Sequence, residues 1–266
     1  MNLLRMTGRP LLRLIDYLGE LGFLVGEIFV SLIRGQKRYR QLLEQIAEIG
    51  ARSQVVVLVT GAFTGAVLAA QAYFQFKIFS LETATGGLVS IAMLRELGPS
   101  ITGLMLAGRV GSAMAAEIGT MKVTEQIDAL RSMAVHPVDY LVTPRFLAML
   151  IASPLLIAEA AAAGMLASYV VGVFVFDVES AYWVANMGKY VDYTDIVIAV
   201  VKVIAFGMLI VINSCHQGLR ASNGAVGVGR GTTDAMVFSS LAILIANFFL
   251  TMLMQWFFPA ELVSSG

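Results

Sequence analysis

The chain has 266 residues, of which 58% are hydrophobic and 14% are charged, and its 18 Lys and Arg residues balance 18 Asp and Glu residues. Globular domains are on average about 45–50% apolar and about 25% charged, so this composition excludes an ordinary soluble domain. The mean hydropathy of +0.80 points the same way. A zero net charge also argues against a nucleic-acid partner, because binding phosphates requires a concentrated basic face.

Five apolar stretches are long enough to cross a bilayer, since a spanning helix needs about 20 mostly apolar residues. They cover residues 54–76, 86–110, 146–176, 196–213 and 235–258. The third would form about 46 Å of straight helix, so we expect it to tilt, to kink at Pro154 or to project beyond the lipid. The chain is therefore predicted to be an all-α integral membrane protein with five transmembrane helices.

A sixth stretch, residues 11–33, mixes charged and apolar positions. Its charged residues are Arg13, Asp16, Glu20 and Glu27. Such charges are expensive for a helix that crosses lipid but suit an amphipathic helix lying in the interface. We expect an interfacial helix here, and a sixth span shielded by protein is the alternative. Residues 1–52 are thus predicted to form N-terminal interfacial and elbow helices, and residues 53–266 the transmembrane core.

The distribution of Lys and Arg predicts the orientation, because cytoplasmic loops carry an excess of these residues. Three segments are rich in them: residues 34–52, 109–145 and 214–234. The intervening loops hold only Lys77 and Lys189 and are otherwise mainly acidic. We therefore expect a cytoplasmic N-terminus, three cytoplasmic segments and, with five spans, an external C-terminus.

Small residues recur four positions apart in two of the predicted spans. Gly61 and Gly65 lie in the first span, and Gly164, Ser168 and Gly172 lie in the third. Such faces let helices approach closely. They indicate packing within one subunit or, alternatively, a dimer interface.

Adjacent opposite charges interrupt the second predicted span at Arg95 and Glu96. An ion at the centre of a spanning helix costs about 2.5–3.5 kcal/mol on insertion scales, so these charges need partners. They project about 100° apart around a helix and cannot simply neutralise each other, so we expect each to meet another helix, a lipid head group or water. Either a polar lining for a substrate path or a lock between helices would explain them. Glu159 and Lys202 are further intramembrane charges whose partners the sequence does not identify.

The segment between the second and third spans, residues 111–144, is too long for a simple cytoplasmic connector. Apolar residues recur within it at helical spacing, at Val123, Ile127, Leu130 and Ala134. Gly119 and Pro137 bracket a predicted short helix at about residues 121–134. Its amphipathic pattern suits docking to a soluble partner, and lying on the membrane surface is the alternative.

No catalytic or cofactor-binding pattern is present in the sequence. The only cysteine, Cys215, excludes an intrachain disulfide, and His136 and His216 are too few for a Cys/His metal site. The pair Gly188-Lys189 is followed by Tyr190, where a nucleotide-binding P-loop has Ser or Thr, and the first glycine of the P-loop pattern is missing upstream. We therefore predict no cofactor or metal in this chain and no enzymatic activity of its own.

Several motifs together resemble the signature of the MlaE/YrbE permease family. They read LRELGP at residues 94–99, AGRVGSA at 107–113, AEIGTM at 116–121, TEQIDAL at 124–130, MAVHP at 133–137 and PRF at 144–146. The match is specific, and the order of spans fits from about residue 10 to the C-terminus. Members of this family are permease subunits of ABC-type phospholipid transporters in the inner membrane of Gram-negative bacteria, with relatives in mycobacteria and plastids.

The resemblance implies a homodimer with a cytoplasmic N-terminus and a periplasmic C-terminus. Each permease would bind a cytoplasmic ABC ATPase, which holds the ATP and Mg, with a STAS-domain protein beside it. A periplasmic ring of MCE-domain subunits would cap the dimer. The complex would move phospholipids between the inner membrane and the MCE channel and so maintain the lipid asymmetry of the outer membrane.

The resemblance also assigns residues to sites. The coupling helix that enters a groove on the ATPase would contain Thr124, Glu125, Ile127, Asp128, Leu130 and Met133. Lipid would bind at the dimer centre, in a cavity lined by the first two spans. The matching positions are Leu68, Gln75, Phe79, Arg95 and Glu96.

Two other functions compete with this one. A proton-coupled secondary transporter would use the intramembrane charges as a relay, although five spans and the lack of an inverted repeat argue against it. A membrane scaffold would only anchor a soluble partner through residues 123–134. Dependence on a proton gradient would favour the first, and tolerance of Ala at Arg95 and Glu96 would favour the second.

Overall fold

The computed structural model describes residues 2–34 and 39–257, and all regular structure in that part of the chain is helical. This confirms the predicted all-α class. The α-helices are α1 (Asn2–Arg34), α2 (Tyr39–Ile49), α3 (Gln54–Lys77), α4 (Thr85–Ala92), α5 (Gly98–Leu106), α6 (Ser112–Val123), α7 (Gln126–Ser132), α8 (Thr143–Val170), α9 (Ser180–Tyr190), α10 (Tyr193–Leu219) and α11 (Gly224–Phe257).

Short π-helical segments continue several of these helices without a break. Met93–Leu97 and Ala107–Gly111 join α4, α5 and α6 into one helical run over residues 85–123. Val138–Val142 precedes α8, and Val171–Val175 follows it. π-helical turns are rare and frequently mark functional sites.

Four helical stretches of the described chain are long and apolar enough to cross a membrane: Tyr39–Lys77, Val138–Val175, Tyr193–Leu219 and Gly224–Phe257. They contain the first and fourth predicted spans, the third as far as Val175 and the described part of the fifth. The second predicted span is helical throughout but too polar to join that group. The chain is thus a multi-pass membrane protein, and its fifth crossing stays a prediction.

Helices extend beyond the predicted spans into the segments assigned to the cytoplasm. α6 continues the second span through Gly119, so the predicted connector at residues 111–144 begins as helix. Only residues 220–223 separate α10 from α11, although residues 214–234 read as a connection in the sequence. Hydropathy misses such turns because the part of a long helix outside lipid carries polar residues, as a loop does.

The small-residue faces pack α3 against α8, as one of the two predicted accounts requires. A Cβ added at Gly61 would lie 2.5 Å from the carbonyl oxygen of Ala160, and one at Gly65 would lie 2.1 Å from that of Gly164. The backbones are therefore in direct contact, which a larger residue would prevent. Because both contacts advance by four residues on each helix, α3 and α8 run parallel.

α10 runs alongside residues 85–123 in the same direction. A Cβ added at Gly103 would meet Phe206, and near the other end one added at Gly218 would meet Ile118. The main apolar core lies where α5, α6, α8 and α10 meet, with Phe206 and Met149 among its fully buried side chains.

α1 packs on this core through one face of the part whose side chains the structure describes. Leu24 and Ile28 are buried, and a hydrogen bond of 2.7 Å joins Ser31 to Thr143 at the start of α8. Large apolar residues such as Phe23 stay exposed. This arrangement supports an interfacial position for α1, which stays a prediction.

Polar residues of α1 find partners at the end of α10. Glu20 Oε2 lies 2.8 Å from His216 Nε2 and 2.7 Å from Arg220 Nη1. Tyr17 donates to the side-chain oxygen of Asn213 at 3.0 Å, and burial raises the pKa of its phenol.

The predicted orientation depends partly on residues that the structure does not describe. The external C-terminus falls on residues 258–266, and the basic residues Lys37 and Arg38 fall in the gap before α2. These positions lie outside the described residues.

Candidate functional site

Arg95 and Glu96 lie in the π-helical segment Met93–Leu97, one turn before Pro99. Proline has no backbone N–H and cannot donate to the carbonyl four residues earlier, which is that of Arg95. Lys202 of α10 donates to this carbonyl instead, with Nζ 2.7 Å from the oxygen. The proline thus leaves a backbone acceptor that fixes a lysine inside the helix bundle.

The two adjacent charges have different partners, as their directions around the helix predict. Arg95 Nε donates to Asp195 Oδ1 on α10. Lys202 Nζ, also on α10, lies 2.8 Å from Glu96 Oε1. Of the partners expected for each charge, namely another helix, a lipid head group or water, the structure shows another helix, and the two ion pairs lock the second predicted span to α10.

Lys202 uses all of its donors inside the protein. Besides the carbonyl of Arg95 and the carboxylate of Glu96, its Nζ lies 2.9 Å from Thr251 Oγ1 on α11. An ammonium group has three N–H bonds, and these three acceptors match them. The side chain is 1% exposed. Lys202 therefore neutralises and orients Glu96 and has no donor left for a ligand.

Glu96 is held by three side chains from two helices. Lys202 and Thr251 lie 2.8 and 3.0 Å from its Oε1, and Asn247 Nδ2 donates to its Oε2 at 3.1 Å. Asn247 and Thr251 are one turn apart on α11 and so share a face. The carboxylate consequently has a defined position in an otherwise apolar bundle.

Exposure divides the cluster into a buried half and an accessible half. The side chains of Asp195 and Lys202 are 0% and 1% exposed, whereas those of Arg95 and Glu96 are 31% and 40% exposed. The accessible residues line a cavity of about 180 Å³. Its other lining residues are Leu88, Ile91, Ala92, Ile198, Lys202, Thr251, Met254 and Gln255.

This arrangement is suited to binding. Its two cations and two anions balance, which matters because an unpaired ion is costly in a desolvated site. One guanidinium and one carboxylate reach the cavity, so a ligand with separated charges finds a partner for each. Within the described ranges, no group of His, Cys, Asp or Glu residues could hold a metal ion.

The other predicted lipid contacts lie apart from this cavity within one chain. Leu68 is half-buried on α3, beside the apolar cluster that contains Tyr73. Gln75 is exposed near the end of α3, and Phe79 is exposed in the turn that follows. The structure therefore brings Arg95 and Glu96 together and leaves these three residues outside their cavity.

The predicted coupling residues form a turn and a short helix, where the sequence indicated one helix at about residues 121–134. α7 covers only Gln126–Ser132. Thr124 and Glu125 precede it in a turn, in which Glu125 has a φ of 61°, and Met133 follows its end. A left-handed residue at Glu125 ends the path of α6 and lets α7 start in a new direction.

Two residues of the apolar stripe, Ile127 and Leu130, face the protein's own core. Ile127 is fully buried, and Leu130 is half-buried against the same core. Asp128 is exposed and pairs with Lys122 at 3.4 Å and with Arg131 at 3.2 Å. The predicted coupling residues that stay exposed are Thr124, Glu125, Asp128 and Met133. A partner would therefore meet the polar face and Met133, whereas Ile127 is not available to it.

Sequence reasoning missed three members of the charged cluster. Asp195 reads as part of an acidic external loop, and Asn247 and Thr251 lie in a span without charges. Asn247 and Thr251 could have been identified because they are polar, lie four positions apart in an apolar helix and so share a face, and such residues form hydrogen bonds between helices. The intramembrane charge Glu159 has a separate partner, Gln54, whose side-chain amide donates to it at 3.2 Å.

Known proteins resemble the chain over most of its length. The family described as Permease MlaE matches residues 42–253. A probable ABC transporter permease protein of Rickettsia bellii is 39% identical over 251 residues, covering 94% of this chain and 97% of the relative. The intermembrane phospholipid transport system permease protein MlaE of Haemophilus influenzae is 34% identical over 254 residues, covering 95% of this chain and 97% of the relative.

A plant protein extends the range of relatives. The chloroplastic protein TRIGALACTOSYLDIACYLGLYCEROL 1 of Arabidopsis thaliana is 36% identical over 228 residues, covering 86% of this chain and 65% of the relative. The family match includes Arg95, Glu96 and their partners on α10 and α11, together with α7. The chain belongs to the MlaE family of permeases.

Proposed function

We propose that the chain is the transmembrane subunit of an ATP-driven ABC transporter. It moves phospholipids between the Gram-negative inner membrane and a periplasmic channel of MCE-domain proteins, and so maintains the lipid asymmetry of the outer membrane. The observation that carries this proposal is the accessible pair Arg95 and Glu96, held by buried partners beside a small cavity. The name of the Haemophilus influenzae relative, a phospholipid transport permease, supports it.

The chain crosses the membrane five times in this proposal. α3 and α8 run parallel, so residues 85–123, which connect them, have to return across the bundle. The excess of Lys and Arg then places the N-terminus in the cytoplasm and the C-terminus in the periplasm. On this orientation the charged cluster lies in the outer half of the membrane, since Asp195 is in the first turn of α10 and Thr251 within two turns of the end of α11.

A separate cytoplasmic ABC ATPase binds Mg and ATP and hydrolyses the nucleotide, because this chain carries no P-loop. It docks on the exposed residues around α7, with Asp128 and Met133 at the contact. Ile127 connects this contact to the interior, since its side chain is fully buried in the core. A movement of α7 therefore reaches the helices that form the cavity.

Two permeases form a homodimer, with a STAS-domain protein beside each ATPase and an MCE-domain ring on the periplasmic side. The glycine faces of α3 and α8 are filled within one chain, so the dimer uses other surfaces. Gln75 and Phe79 are exposed at the outer end of α3. A second copy would place these residues and Leu68 around a shared lipid cavity.

Transport requires that affinity for the lipid differ between two conformations. When the ATPases close on ATP, α7 moves and shifts residues 85–123 relative to α10. The Arg95–Asp195 and Glu96–Lys202 pairs span that junction. When these ion pairs separate or slide, Arg95 and Glu96 reach the cavity to a different extent, and the affinity for the lipid changes.

A proton-coupled secondary transporter is the second candidate, favoured by an accessible carboxylate inside the bundle at Glu96. The chain needs no ATPase in that case. A scaffold that only anchors a partner is the third, and it gives no role to the cavity.

Co-purification from membranes in mild detergent tests the proposal. Mass spectrometry of bound proteins and extracted lipids should find an ABC ATPase, an MCE-domain protein and phospholipid. A lone chain without ATPase or lipid would instead support a gradient-driven carrier.

A further inference from the structure

The accessible half of the charged cluster is dipolar. Arg95 and Glu96 are adjacent in sequence, line the same cavity and carry opposite charges. Their neutralising partners, Asp195 and Lys202, are fully buried behind them. The cavity therefore presents one cation and one anion and carries no net charge.

The two accessible groups keep capacity for a ligand. A guanidinium has five N–H donors, and Arg95 uses Nε for Asp195. The other two guanidinium nitrogens of Arg95 have no hydrogen-bond partner within residues 2–34 and 39–257. Glu96 is 40% exposed although three donors hold it, so its carboxylate can still meet a cation in the cavity.

The size and the walls of the cavity limit what enters it. A volume of about 180 Å³ lies below the roughly 300–1,000 Å³ of sites for drug-sized molecules, so a whole lipid does not fit. A head group fits, and the acyl chains then lie outside the cavity.

We infer that the cavity selects phospholipids with a zwitterionic head group, whose phosphate lies at Arg95 and whose ammonium lies at Glu96. This inference rests on the proposed function and names its substrate class. An anionic head group without an ammonium also places its phosphate at Arg95 but offers no cation to Glu96, so the charge of that carboxylate is left without a partner from the ligand. Glu96 is thus the residue that discriminates between head groups, and Arg95 holds the phosphate common to both.

Competitive lipid binding tests the inference on the complex purified in detergent. The complex is incubated with equal amounts of phosphatidylethanolamine and phosphatidylglycerol of the same acyl chains, and bound lipid is measured by mass spectrometry. We expect enrichment of phosphatidylethanolamine by about fivefold, the size of a partly exposed ion pair. Glu96→Gln keeps the shape and a hydrogen-bonding oxygen but removes the charge, and should bring the ratio close to one.

Two further variants separate discrimination from general damage. Arg95→Gln should lower binding of both lipids. Glu159→Gln, which changes an intramembrane carboxylate outside the cavity, should leave the ratio as in the wild type.

The wild-type ratio decides the question even if a variant fails to fold. Bound phospholipid without enrichment of phosphatidylethanolamine overturns the inference and leaves the proposed function in place. Enrichment that persists in a folded Glu96→Gln complex also overturns it. A wild-type complex that binds neither lipid contradicts the proposed function itself.

Discussion

Lys202 and Glu96 form an ion pair of 2.8 Å although they are 106 positions apart in the sequence. The pair joins the π-helical turn before Pro99 to the first half of α10, and Thr251 adds α11 to the same contact. A buried ion pair of this kind is weak evidence for stability, because desolvation offsets much of its attraction. The pair fixes the carboxylate of Glu96 at the wall of the cavity.

Removal of Lys202 should destabilise the chain more than removal of both partners. Lys202→Met leaves Glu96 without its cation, and breaking a buried pair typically costs about 3–5 kcal/mol. Because Glu96 is 40% exposed, we expect the lower part of that range. Thermal unfolding in detergent measures the effect. The double variant with Glu96→Gln should recover part of the lost stability, and equal loss in both would contradict the pairing.

Close packing of α3 on α8 should make Gly65 intolerant of even one methyl group. A Cβ there would lie 2.1 Å from the carbonyl oxygen of Gly164, so Gly65→Ala forces the helices apart. We expect a clear drop in Tm, since overpacking costs about 1–3 kcal/mol. Gly229→Ala in α11 is the matched control, because no atom lies within 4 Å of a Cβ added at Gly229. It should keep or raise Tm, and similar losses at both positions would refute the contact.

Glu20 should hold α1 on the core through the end of α10. Glu20→Ala removes the acceptor that lies 2.8 Å from His216 and 2.7 Å from Arg220. Hydrogen–deuterium exchange should then rise several-fold in α1 and stay unchanged in α8. Asp16→Ala removes an exposed carboxylate one turn earlier and serves as control. Unchanged protection of α1 in Glu20→Ala would show that apolar contacts alone hold this helix.

Binding of the partner ATPase should depend on the exposed side chain of Met133 and not on the buried side chain of Ile127. Met133 is 65% exposed, so Met133→Asp should prevent co-purification of the ATPase and leave the Tm of the permease unchanged. Ile127→Ala removes buried apolar volume, and should lower the Tm of the permease itself by an amount equivalent to about 2–5 kcal/mol.

A third variant controls for a change of charge at the surface. Tyr182→Asp places the same charge on an exposed residue of α9, on the side assigned to the periplasm, and should leave ATPase binding intact. Normal ATPase binding by Met133→Asp would show that the docking site lies away from α7.

Spans and isolated charges could be predicted from the sequence because each depends on local composition. Arg95 and Glu96 stand out in an apolar stretch, and their positions around a helix already exclude a simple mutual pair. Their partners could not be predicted, since Asp195 and Lys202 come close only through the packing of α10. The role of Pro99 likewise depends on which side chain reaches the carbonyl it leaves free.

The apolar stripe at Ile127 and Leu130 shows a different limit. Periodicity identifies a face that avoids water, but it does not say whether the chain's own core or a partner covers that face. The core covers Ile127 here, so the residues most open to a partner are polar ones and Met133. The sequence also did not predict how far α6 and α11 extend beyond their spans. Their turns outside the apolar stretches carry Gly, Ser, Thr and charged residues, as loops do.

ATP-driven lipid transport can be measured as phospholipid movement by the reconstituted complex in liposomes, followed with a fluorescent phospholipid. We expect transfer that requires ATP, that stops when the ATPase is inactivated, and that falls strongly in Arg95→Gln. Transfer that follows a proton gradient and ignores ATP would contradict this expectation and identify the chain as a secondary transporter.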